Sequence, residues 1–318
     1  MLAPSSSPRP RSLDDLLPPG LAARLDRLDL LSRRVFSGKL PGERRSRRRG
    51  SSVEFDDYRD YLPGDDLRRL DWNVLARLDR VFIKLFREDE DQALHLVIDA
   101  SASMDAGNPS KLVAALRLAL ALGYVGLANQ SRVLASVLSA PGRPPLQALA
   151  PIRGKSSLQR LASFLLSASF PADNPSTHPP GAFTRALRDL IASRRAPGVL
   201  VLASDLLLPE DPIPPLNILA AGPFDAHCFQ VLSLGELDPE SEPALLGDLS
   251  MTDAETGRAA EVTLTRSLVR RYRQRLDAHV ASIRRACLAR GISHALVRAD
   301  ADPFAILTDQ LRRGRLVG

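Results

Sequence analysis

The sequence predicts an α/β protein built on a doubly wound, mostly parallel sheet with helices on both faces and an inserted β-hairpin. Two observations carry this. From residue 94 onward, apolar runs of strand length alternate with longer segments of helical periodicity. Those runs are apolar on both faces, as strands are when helices cover the sheet on either side. A third observation permits it: 318 residues with 44% hydrophobic content can bury a sizeable core.

Taken in order, the first dozen residues are rich in Pro and Ser and read as disordered. Leucines then recur at helical spacing in "LAARLDRLDLLSRRVFSG", with Gly38 as a stop, so residues 1–50 are expected to be a basic, partly disordered arm with one helix. Residues 51–92 form an acidic extension expected to pack on the sheet, with 12 Asp and Glu against 7 Lys and Arg between 54 and 91. Its "RVFIKLF" alternates like a half-buried strand, Trp72 is expected in the core, and Asp65 and Asp66 after Pro63 and Gly64 read as turn residues.

Residues 93–318 carry the regular pattern. Strand "LHLVID" leads to helix "SKLVAALRLALALGYVGLANQ", strand "RVLASVLS", a short apolar "LQALAPI" and helix "SLQRLASFLLSAS". Helix "FTRALRDLIASRR", strand "GVLVLASDLL", a short helix "LNILAAG" and strand "HCFQVLSL" follow. A hairpin near 247–265, turning at "DAETG", precedes a long Arg-rich helix from Leu264, strand "SHALVRA" and helix "PFAILTDQLRRG".

Charge narrows the partners. Residues 1–50 hold 12 Lys and Arg against 5 Asp and Glu, leaving 31 against 32 for the rest, so the formal net charge of +6 belongs to the arm. "GERRSRRRG" lacks aromatic stacking residues and reads as a solvated or partner-facing charge run, so nucleic-acid binding is not expected of the folded domain. Cys228 and Cys287 sit in apolar segments and read as core thiols of a reducing compartment. The longest apolar stretch, 112–128, is interrupted by Arg117 and too short for a membrane span, so the protein is expected to be cytoplasmic.

Chemistry concentrates in "LHLVIDASASM", where Asp99, Ser101 and Ser103 alternate just past an apolar strand. In open doubly wound sheets, ligands sit beyond the carboxyl ends of strands where strand order reverses. One carboxylate and two hydroxyls give a low-charge, all-oxygen shell suited to Mg²⁺, although Ser and Asp at a helix start also cap free backbone amides. A second strand, "VLVLASDLL", ends on Asp205 and supplies a matching carboxylate. A hydrolase or phosphotransferase using Asp99 as nucleophile and Asp205 as metal ligand is the rival reading, and a nucleic-acid binder using the basic arm is a third. No histidine falls at ligand or triad spacing, and "RGKSS" at 153–157 lacks the leading glycine of a phosphate loop.

D-x-S-x-S after the first sheet strand, a later strand-terminal aspartate and this element order resemble the von Willebrand factor A fold, itself Rossmann-like, and its metal-ion-dependent adhesion site. "YLPGDD", "RRLDW" and "AR" ahead of that strand, with "HCFQVLSLGELDP" and "MTDAETG" later, narrow the likeness to the bacterial family called domain of unknown function 58 over about residues 44–318. The resemblance implies direct contact of Ser101 and Ser103 with Mg²⁺ or Mn²⁺, and Asp99 and Asp205 in the inner or water-mediated shell. It also implies a threonine ligand near "STHPPGAFTRAL", where Gly181 occupies the expected position and Thr177 and Thr184 flank it. It further implies a non-enzymatic module whose metal takes a partner's Asp or Glu, and partnership with a MoxR-type AAA+ ATPase in maturing or assembling other proteins.

Overall fold

In the computed structural model, the described residues are 9–26, 53–61, 70–72, 74–75, 81–88, 93–171, 178–193, 197–239, 247–252 and 259–312. The chain divides into two units, Ser37–Asp91 and the remainder. In the smaller unit, β1 (Val53–Asp60) pairs antiparallel with β2 (Phe82–Glu88), with an irregularity between Phe55 and Asp57. The alternating "RVFIKLF" was legible as a strand; its partner, dense in Asp, was not, because charged residues hide the period. Trp72, expected in the core, is 66% exposed. Asp71 turns inward instead and accepts a hydrogen bond from the Val74 amide at 3.2 Å, which fixes the adjacent indole outside.

The larger unit contains α1 (Leu13–Leu16), α2 (Pro19–Asp26), β3 (Ala93–Asp99), α3 (Lys111–Ala128), β4 (Arg132–Leu138), β5 (Leu146–Ala148) and α4 (Leu158–Ser169). It continues with α5 (Ala182–Ala192), β6 (Gly198–Ser204), α6 (Ile213–Ala221), β7 (Phe224–Leu232), α7 (Leu234–Leu237), β8 (Gly247–Thr252), β9 (Ala259–Leu264), α8 (Arg266–Leu288), β10 (Ser293–Arg298) and α9 (Pro303–Arg312). Six strands form one sheet in the order β10-β7-β6-β3-β4-β5, parallel except for the short edge strand β5. The chain runs outward from β3 to β4 on one side and then restarts at β6 on the other, so strand order reverses between β3 and β6.

Burial alternates along the strands as a doubly wound sheet requires. Leu94, Leu96 and Ile98 of β3, with Val199 and Val201 of β6, enter one apolar cluster beneath α3 and α4. Val97, Leu200 and Leu202 enter the opposite cluster with Phe183 and Leu187 of α5, Leu216 of α6 and Ile283 of α8. His95 is buried edge-on against Phe224, and Cys228 and Cys287 are buried free thiols, as the sequence predicts for the two cysteines. Helix α6 begins at Ile213, earlier than periodicity alone indicates, because Pro214 and Pro215 fall in its first turn, where no amide partner is lost. The inserted hairpin is present as β8 paired antiparallel with β9.

The N-terminal segment differs from the expected arm over residues 9–26. Ser12 caps α1 through a capping box, and Leu16, Leu17 and Leu25 are buried in the cluster that contains α3. Leucine spacing gives these short helices an apolar stripe, and burying it outweighs the local polar composition. Arg9 and Arg24 are held at the surface by Asp105 and Asp302, at 3.0 and 2.7 Å. The rest of the expected arm, including residues 27–50, lies outside the described residues. Helix α3 is long and apolar enough to cross a membrane, yet 89% of it is buried within the fold.

Candidate metal centre

The reversal between β3 and β6 places Asp99 at the end of one strand and Asp205 one residue past the end of its neighbour. Both carboxylates have no exposed surface. Asp99 Oδ1 accepts the Ser101 amide at 3.0 Å and Oδ2 accepts the Ser204 hydroxyl at 2.6 Å. The chain then tightens into a 3-10 turn over Ala102–Asp105, which brings the Ser101 and Ser103 hydroxyl oxygens to 3.1 Å from each other. In this turn Ser101 occupies the N-cap position without a side-chain capping bond, so capping does not account for its hydroxyl.

Backbone conformation sharpens the same edge. Ser139 and Leu206, which follow β4 and β6, have φ of +58° and +53°, a region that costs a non-glycine residue strain. The bend at Leu206 lets Asp205 Oδ1 accept the Leu207 amide at 3.0 Å. Ser139 directly follows Leu138, the register partner of Asp99, and its buried hydroxyl has no hydrogen-bond partner among the described residues.

Lys111 is the residue sequence reasoning missed. Its Nζ donates to Asp205 Oδ2 at 2.8 Å and to Glu236 Oε1 at 2.5 Å, and the side chain has no exposed surface. Glu236 is fixed by the capping box of α7, where its Oε2 accepts the Ser233 amide at 2.9 Å. Burial alone would push the Lys111 pKa down, but the charges of Asp205 and Glu236 and their hydrogen bonds hold it above its usual value. Among the described residues, no cation pairs with Asp99. Burial, and then the charge of Asp205, push its carboxyl up from the usual 3.8 to about 7 against the hydrogen bonds from Ser204 and Ser101.

The expected threonine ligand is not met in that form. Gly181 has φ of +80° at the N-cap of α5, a left-handed conformation that a β-branched threonine disfavours. Thr184 is turned to the loop after β6, where its hydroxyl donates to Glu210 Oε1 at 2.5 Å. Thr177 lies outside the described residues. Among the described residues, no group of three or more His, Cys, Asp or Glu is placed to hold a metal ion.

The donor set fits a small hard cation on two counts. Adjacent ligands of an octahedral ion with oxygens at about 2.1 Å stand about 3.0 Å apart, close to the hydroxyl spacing of Ser101 and Ser103. The buried, elevated Asp99 carboxyl beside Asp205 is also a charge arrangement that a cation relieves. Asp205 has its two oxygens engaged by Lys111 and the Leu207 amide, which favours an outer, water-relayed contribution over direct ligation.

The fold and edge together define a doubly wound α/β protein with an oxygen-rich cluster at its switch point. The chain belongs to the family described as Protein of unknown function DUF58, which it matches over residues 57–282. An uncharacterized protein of Mycobacterium tuberculosis is 28% identical over 310 residues, covering 96% of this chain and 94% of its own length. An uncharacterized protein of Mycobacterium avium is 31% identical over 142 residues, covering 43% of this chain and 80% of its own. Among solved structures, the conserved hypothetical protein BatB from Bacteroides thetaiotaomicron has a TM-score of 0.38 at 15% identity, covering 71% of this chain and 98% of that one. An aerotolerance-related membrane protein from Bacteroides fragilis has a TM-score of 0.38 at 16% identity, covering 70% and 97%.

Proposed function

We propose that this protein is a non-enzymatic, metal-dependent protein-interaction module in which Ser101 and Ser103 hold Mg²⁺ or Mn²⁺ directly, with Asp99 and Asp205 supplying the balancing charge. The observation that carries the reading is the hydroxyl pair at 3.1 Å just past the buried, strand-terminal Asp99, with the neighbouring strand leading into a second buried carboxylate, Asp205. The bound ion would supply a point charge able to accept a carboxylate from outside, which makes recognition dependent on both metal and geometry. A complementary surface offering Asp or Glu is therefore the expected partner, and the family resemblance points to a MoxR-type AAA+ ATPase in the assembly or maturation of other proteins. A nucleophilic role for Asp99 is disfavoured, since both its oxygens are engaged and it has no exposed surface.

The test is a calorimetric titration of Mg²⁺ and Mn²⁺ into the protein and into Asp99→Ala, with circular dichroism confirming both folds. Saturable binding lost in the folded variant supports the site; identical isotherms would remove Asp99 from it. Co-purification with the ATPase should then fail in EDTA and with Ser101→Ala combined with Ser103→Ala. Complex formation indifferent to both treatments would sink metal-dependent recognition.

A further inference from the structure

The metal reading uses the Asp99 half of the cluster and leaves a fully buried ammonium beside it unexplained. Lys111 reaches that position through a constrained loop. Gly107 bends with φ of +95°, and a Cβ there would lie 2.6 Å from Ser233 Cβ. The segment joining Ser103 to Lys111 is thus pressed against the start of α7, whose Glu236 receives the ammonium. Ser110 caps α3 by accepting the Val113 amide at 3.2 Å, which fixes where the lysine leaves the backbone. One loop therefore carries the serine turn at one end and a cation at the other.

Charge counting states the consequence. Lys111 faces two buried carboxylates, Asp205 and Glu236, while Asp99 lies close enough to Asp205 to feel its charge; with all three ionised, one ammonium leaves two negative charges for a divalent ion to balance. Asp205 lies at the strand end beside Asp99, and its Oδ2 is already occupied by Lys111 Nζ at 2.8 Å. Glu236 holds the same ammonium from the other side at 2.5 Å. Lys111 holds both carboxylates at once, so removing the Glu236 charge would leave its ammonium to Asp205.

We propose that Lys111 is an internal cation that competes with the divalent ion for Asp205, and that Glu236 sets the outcome by drawing the ammonium away. Lys111 is in this sense a positioning residue: it keeps Asp205 out of direct coordination and lowers the site's affinity for its ion. The inference rests on the metal-site reading and adds to it the residue pair that tunes the site.

The experiment measures Mn²⁺ affinity by calorimetry for the full chain, Lys111→Met and Glu236→Gln, alongside the melting temperature of each in EDTA and in Mn²⁺. Competition requires shifts of opposite sign. Lys111→Met should bind Mn²⁺ roughly tenfold or more tightly, as expected when a buried unit charge bonded to Asp205 is removed, and Glu236→Gln should bind more weakly. Lys111→Met should also melt lower than the unsubstituted chain in EDTA and gain more from added Mn²⁺. Two folded variants that both bind more weakly, or both unchanged, would overturn the role of Lys111 and leave the metal site standing. Absence of saturable binding in all three proteins would overturn both. If Lys111→Met does not fold, Glu236→Gln decides: weaker binding supports competition, and unchanged or tighter binding refutes it.

Discussion

Asp99 and Asp205 close neighbouring parallel strands with the same sequence signature, an apolar run ending on an aspartate, yet they sit in opposite electrostatic states. Asp205 is paired with Lys111, which it shares with Glu236. Asp99 receives the Ser101 amide and the Ser204 hydroxyl, and burial pushes its carboxyl up to about 7. One half of the edge is complete within the fold, and the other is built around a charge that needs a proton or a cation. Strand-terminal aspartates are thus not interchangeable, and what distinguishes them is the reach of a single lysine.

The largest effect should come from breaking the complete half. Lys111→Ala leaves Asp205 and Glu236 buried without a counter-charge and should cost about 3–5 kcal/mol in denaturant unfolding with EDTA present. A loss under about 1 kcal/mol would mean that water reaches both carboxylates and that the halves are alike after all. Gly181→Thr, which restores the threonine the family pattern expects, should cost about 1–3 kcal/mol because the residue sits at φ of +80°. Gly181→Asn, which tolerates that region better, should cost less in the same assay. Equal stability of all three proteins would show that the loop relaxes without strain.

The open half should reveal itself through pH. A carboxyl whose pKa is raised on folding stabilises the native state below its unfolded value and loses that contribution as pH rises through the folded value. Metal-free protein should therefore lose stability between about pH 4 and pH 7 relative to Asp99→Asn, whose side chain does not titrate. Parallel stability curves for the two proteins would mean that Asp99 is ionised throughout. The smallest stability change is expected for Ser103→Ala, within about 1 kcal/mol, while its Mn²⁺ affinity falls. Loss of stability without loss of affinity would instead make the serine a structural member of the turn.

Much of this was legible in the chain. The strands of the sheet, the crossover helices and the inserted hairpin follow from local periodicity, and Asp99 and Asp205 fall where two apolar runs end. Lys111 was not read, though a signal was present: it opens a helix, where the macrodipole disfavours a cation unless acidic partners lie nearby. Nothing local names those partners, which lie 94 and 125 residues further on. Trp72 was misplaced because mean burial of tryptophan says nothing about which way one turn faces. Leu21 and Leu25 fell within the helix read from leucine spacing, but Leu13, Leu16 and Leu17 were left out of it because Pro and Ser precede them, although all five pack in or against the cluster that contains α3.

By itself, the sequence determined the order of elements, the doubly wound class and the presence of oxygen donors at two strand ends, because hydrophobic period and strand termination are properties of neighbouring residues. The tertiary structure alone decided that Lys111 bridges Asp205 and Glu236, that Asp99 pairs with no cation among the described residues, and that residue 181 bends left-handed. Those outcomes depend on which distant side chains share a buried space, where low polarity makes each unmatched charge costly.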